Sequence, residues 1–103
     1  MVYEMRVYTL QPGKVPEFQA LIEKEALPII SKYSKLVGWW STEVGPLNEV
    51  VHLWAYRDLN DRAAVRAKTL QDPEWQAFLG KATPLLVEMR SVALIPAPSS
   101  PMK

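Results

Sequence analysis

Apolar and polar positions divide the chain into six successive stretches. Residues 2–10 (VYEMRVYTL) are rich in Val, Tyr, Thr and Leu without a breaker, which suits a strand. Pleating sends alternate side chains to opposite faces. Tyr3, Met5 and Val7 then share a plain apolar face, and Glu4, Arg6 and Tyr8 a charged or amphipathic one. Pro12-Gly13 turns the chain. Over residues 15–33, Val15, Phe18, Ile22, Ala26, Ile29 and Tyr33 recur at steps of three and four, the period of an amphipathic helix. Pro16 suits a first turn. Pro28 does not suit a helix interior and predicts a kink or break near Ala26–Leu27.

Residues 36–44 (LVGWWSTEV) and 49–57 (EVVHLWAYR) read as two more strands. The connection Gly45-Pro46-Leu47-Asn48 is short, so the two lie side by side and antiparallel. Val51, Leu53 and Ala55 alternate with Val50, His52, Trp54 and Tyr56. Residues 58–83 read as a helix in two pieces. Asp58 or Asn60 caps the first piece, and Asp72-Pro73-Glu74 starts the second. Trp75 there reads as helix packing. Residues 86–95 (LVEMRSVALI) form a last strand. Residues from Pro96 onward belong to no regular element and are either disordered or laid across a neighbouring surface.

Two β–α–β units in succession imply an α+β, ferredoxin-like βαββαβ sandwich: a four-stranded antiparallel sheet with its helices on one face. The expected division is a domain over residues 1–98 and a flexible C-terminal tail over 99–103. The other sheet face must meet something. Alternation by itself permits either face to take the helices. With Met5, Val7, Val51 and Leu53 under them, the open face shows Arg6, Tyr8, Trp40, His52, Trp54 and Tyr56. That is too much aromatic surface to leave in water. A homodimer pairing sheet to sheet is the expectation.

Composition narrows the chemistry. The chain has 103 residues, twelve Lys/Arg against eleven Asp/Glu, a formal charge of +1, one histidine and no cysteine. That length makes one domain. Near-neutral charge, with no RNP motif and no basic patch, argues against a nucleic-acid partner. Lack of cysteine excludes disulfides and thiolate chemistry, and one histidine leaves no transition-metal ligand set. No cofactor is expected. With no apolar run of membrane length and no signal-peptide pattern, the default expectation is a cytoplasmic protein without a membrane partner.

Three strings carry a resemblance: YEMRVYTLQPGKVPEF, LVGWWSTEVGPLNEVVHLWAYRDLNDR and DPEWQAFL. Through them the chain resembles bacterial NIPSNAP-domain proteins from residue 2 to about residue 98, the middle string being the most specific. The resemblance implies the dimeric α/β-barrel superfamily, in which two ferredoxin-like subunits pair through their sheets. That superfamily includes cofactor-free oxygenases, haem-handling enzymes and small isomerases. NIPSNAP domains mostly lack an assigned reaction, and the mitochondrial members are described as adaptors.

The residues themselves offer one candidate constellation. His52 is the only side chain whose ordinary pKa lies near neutrality, which makes it the first candidate for an acid or base. Arg6, on the neighbouring strand, could hold a carboxylate or stabilise an enolate. Tyr8 could donate a hydrogen bond. Trp40, Trp54 and Tyr56 could line an apolar site for a small aromatic or anionic ligand. The set would suit a metal-free isomerase- or oxygenase-like reaction. Structural roles compete with each assignment: a satisfied core histidine, an Arg6–Glu4 pair, tryptophans in an interface. A partner-binding adaptor and a haem binder with His52 as axial ligand are the alternatives.

Overall fold

Prolines and acidic caps cut the chain close to the expected places. The computed structural model describes residues 1–103 and shows β1 (Val2–Leu10), α1 (Val15–Leu21), α2 (Leu27–Ile30), β2 (Lys35–Ser41), β3 (Glu49–Tyr56), α3 (Leu59–Gln71), α4 (Pro73–Ala82) and β4 (Leu86–Leu94). The sheet order is β2-β3-β1-β4 and every pairing is antiparallel. With the helices on one face, this is the ferredoxin-like α+β sandwich.

Three local features differ from the sequence reading or sharpen it. The first helix does not break before Pro28. A π turn, Ile22–Ala26, joins α1 to α2, and the Leu27 N–H reaches back to the Ile22 carbonyl. A proline removes one donor and crowds the preceding turn, and a wider turn absorbs both. It also keeps Phe18, Ile22 and Ala26 in line. Two steps of four residues would otherwise drift around a helix of 3.6 residues per turn. In the second helical region the expected two pieces are present. Asp58 caps α3 by accepting from the Asp61 N–H at 2.7 Å, and Asp72 caps α4 by accepting from Glu74 N–H at 2.9 Å. Finally, β2 stops at Ser41, and the link to β3 passes through Asn48 with φ of 61°. The Asn48 side-chain oxygen accepts from Gly13 N–H at 3.0 Å, tying this link to the first turn.

The orientation of the sheet is the reverse of the one that would leave the aromatic side open. Leu10 and Val50 are buried with Phe18, Ile22, Ala26, Ile29, Phe78 and Ala82 in the core between sheet and helices. Glu4, His52, Trp54 and Tyr56, on the same strand faces as Leu10 and Val50, are also buried. The plain apolar side, Met5, Val7, Val51 and Leu53, faces away and is only half covered. The reason is volume together with pairing. Large rings fill the space under the helices, and the Trp54 indole N–H and the Tyr8 hydroxyl find polar partners there, on His52 and Arg6, instead of water. Trp40 belongs to the outer side, opposite Val51 in the register, and is 55% exposed. Its indole lies over Gly38, where an added Cβ would run into the ring. The chain end returns to this outer side: Tyr3 Oη donates to the Lys103 carbonyl at 2.9 Å.

Candidate functional site

The helix-facing side of the central strands carries a polar cluster in an otherwise apolar setting. Antiparallel register puts Arg6 between His52 on β3 and Ser91 on β4, and Glu4 between Trp54 and Ala93. Glu4 is 1% exposed. Its Oε2 accepts from Arg6 Nη1 at 3.0 Å, Arg62 Nη2 at 2.7 Å and Ser91 Oγ at 2.5 Å. Burial by itself would raise this carboxyl. Hydrogen bonds from Arg62 and Ser91 and the charges of Arg6 and Arg62 outweigh it and hold the pKa at about 2. Glu4 is therefore a fixed anion that pins α3 to β1 through Arg62. Arg6 turns its other edge to Tyr8, donating from Nε to Tyr8 Oη at 2.8 Å.

His52 sits deeper. Trp39, its cross-strand neighbour, stacks on it with ring centroids 4.1 Å apart and planes at 14°, while Tyr8 meets it edge-on at 4.7 Å. Trp54 Nε1 donates to His52 Nδ1 at 2.6 Å. That bond assigns the proton of the neutral ring to Nε2, which is buried without a partner, as is Trp39 Nε1. Burial first, and the Arg6 charge second, push the His52 pKa down to about 3, with Glu4 opposing. At neutral pH this imidazole is uncharged and weakly basic.

Between sheet and helices lies a cavity of about 220 Å³. Its sheet wall is Glu4, Arg6, Tyr8, Trp54, Tyr56 and Met89. Its helical wall is Ile30 from α2, Arg66 and Leu70 from α3, and Trp75 and Leu79 from α4. Of the residues that the sequence singled out, Arg6, Tyr8, Trp54 and Tyr56 meet here. His52 does not border the cavity and meets it through Trp54 and Tyr8, which both line it. Trp40 is on the far side of the sheet, so its placement in a shared pocket is corrected; Trp39, one residue earlier, has the inward parity. Trp75 packs on Phe78, at 4.9 Å between centroids, and also borders the cavity. Sequence reasoning missed Arg62 and Arg66. Their spacing of four on an expected helix was the available signal, since it puts both guanidiniums on one side. Ser91 and Met89 carried no signal of their own, because their use depends on the β1–β4 register.

Comparison with known proteins places this architecture. The NIPSNAP family profile matches residues 3–101. A NipSnap homolog from Dictyostelium discoideum is 37% identical over 95 residues, covering 92% of this chain and 42% of its own length. Human NipSnap homolog 2 is 33% identical over 102 residues, covering 99% of this chain and 35% of its own. The chain thus spans about two fifths of the length of these curated relatives. Among solved structures, an uncharacterized NIPSNAP domain protein from Burkholderia xenovorans superposes with a TM-score of 0.95 at 46% identity, covering 98% of this chain and 99% of that one. A NIPSNAP family protein with unknown function from Agrobacterium tumefaciens gives 0.97 at 38% identity, with 100% and 94% covered. A putative antibiotic biosynthesis monooxygenase from Nitrosomonas europaea gives 0.70 at 13% identity, with 93% and 98% covered, a likeness of fold alone. The chain belongs to the NIPSNAP family.

Proposed function

We propose that this protein binds a small organic molecule in the cavity beneath its helices and does so as a homodimer closed through the outer face of the sheet. The observation that carries the first part is the cavity itself: apolar and aromatic walls, with Arg6 and Tyr8 presented at one side. Mostly apolar concavities with a few placed polar groups are the usual form of small-ligand sites. At about 220 Å³ it lies below the roughly 300–1,000 Å³ of drug-sized sites. That favours a one-ring ligand over haem, and His52 is shut beneath Trp39 as well. A metal-free isomerase- or oxygenase-like reaction would fall to Tyr8 as donor and Arg6 as charge stabiliser, with His52 holding Trp54 in position.

The dimer reading rests on the outer face. Trp40 (55% exposed), Val92 (46%) and Leu94 (42%) continue the half-covered row of Met5, Val7, Val51 and Leu53 across all four strands. Monomers rarely leave such a continuous apolar sheet face in water, and a second copy brings a surface of matching chemistry.

A neutral aromatic probe tests the cavity. Phenylacetamide added to the full chain should shift the indole N–H resonances of Trp54 and Trp75 in NMR spectra. Leu70→Trp, which fills the mouth from a half-exposed position, should remove the shifts. Indoles that stay unmoved at millimolar probe, about the weakest affinity of interest, would refute the reading.

A further inference from the structure

Resting on the cavity as a ligand site, we infer that its ligand is a small carboxylate on a flat apolar body, with the carboxylate held by Arg66. The argument begins with charge. Arg6 and Arg66 border the cavity, and Arg62 sits one turn before Arg66 on α3. Glu4 is the only acid in the cavity wall. Three guanidiniums stand against one carboxylate, and that carboxylate is already occupied by Arg6 and Arg62. Arg66 forms no ion pair and no side-chain hydrogen bond, although it is half-buried. A guanidinium in a partly desolvated site gains from a planar anion that meets its fork.

The second observation concerns Tyr8. Its oxygen accepts from Arg6 Nε, and its own proton has no acceptor in the protein. The cavity therefore presents two kinds of free donor, the Arg66 fork and the Tyr8 hydroxyl, and the nearby Arg6 charge strengthens the latter. A carboxylate has two oxygens and suits this supply. A phosphate has more oxygens than the apolar remainder of the wall can satisfy. That remainder (Ile30, Leu79, Met89 and the rings of Trp54 and Trp75) selects an uncharged, flat body.

The test compares isosteres. Phenylacetate, phenylacetamide and phenyl phosphate are titrated into the full chain, followed by calorimetry and by tryptophan fluorescence. Phenylacetate should bind at least about ten-fold more tightly than phenylacetamide, as one charge-assisted hydrogen-bonded pair supplies. Added salt should narrow the gap. Arg66→Gln should abolish the preference, weakening phenylacetate far more than phenylacetamide, and Arg66→Lys should restore part of it. Arg66 supports no other side chain, so these variants should keep the wild-type circular dichroism. Equal binding of the two isosteres overturns the carboxylate assignment and leaves the cavity reading standing. Tighter binding of phenyl phosphate overturns the assignment in favour of a phosphate monoester. Failure of all three probes overturns the assignment and the cavity reading together.

Discussion

A single buried carboxylate organises the polar side of this domain. Glu4 gathers Arg6, Arg62 and Ser91 on one oxygen. Its depressed pKa means that it stabilises the fold fully above the ordinary carboxylate range, a contribution lost as pH falls from about 4.5 toward about 2. His52 acts in the same direction at higher pH. Its folded-state pKa of about 3 lies below the ordinary 6.5. Between those values the unfolded chain binds the extra proton, so stability drops as pH falls below about 6.5. His52→Gln, whose side-chain oxygen can still accept from Trp54, should flatten this first stage and leave the Glu4 stage in place. Urea denaturation midpoints across that range would show it; an unchanged slope in the variant would refute a neutral buried histidine. The inward Glu4 was visible in the sequence only as an acid beside an arginine. Its burial depends on Arg62, which lies 58 positions away.

Among the helices, α3 is the least committed to the core: of its residues only Thr69 is buried, and Leu59 and Leu70 stand half-exposed or more. Its hold on the sheet passes through the Arg62–Glu4 pair, and its start depends on the Asp58 cap. Asp58→Ala should cost about 0.5–2 kcal/mol, the usual worth of such a cap. Because α3 also carries Arg66 and Leu70 into the cavity wall, amide exchange in residues 59–71 should accelerate before that of β1 or β3. Uniform acceleration throughout would mean that α3 does not open separately. Element types and their order were legible in the sequence because caps, prolines and periodicity agreed. The π turn was not. The sequence shows that Pro28 disturbs a helix, but whether the chain breaks or widens depends on the packing of Ile22 and Ala26. Nor were the two faces of the sheet. Alternation sorts residues into two sets without saying which set the helices cover, and paired polar tips made the aromatic set the inner one.

For the whole molecule, that reversal moves the point of attack on assembly. A charge at Trp54 would enter the packed interior and unfold the chain, whereas Trp40→Glu changes only the outer face. In the proposed homodimer, Trp40→Glu should yield a folded monomer by sedimentation velocity. The charge would be desolvated and unpaired in the interface but hydrated in the free subunit. Persistence of an unaltered dimer would place the contact elsewhere. The missing side chain at position 38 has a consequence for that seam. Gly38 provides the flat bed on which the Trp40 ring reclines, and even a methyl group would prop the ring outward. Gly38→Ala should leave the subunit's melting behaviour close to wild type while loosening its hold on a twin. The smallest residue in β2 would then set how tightly two molecules nest.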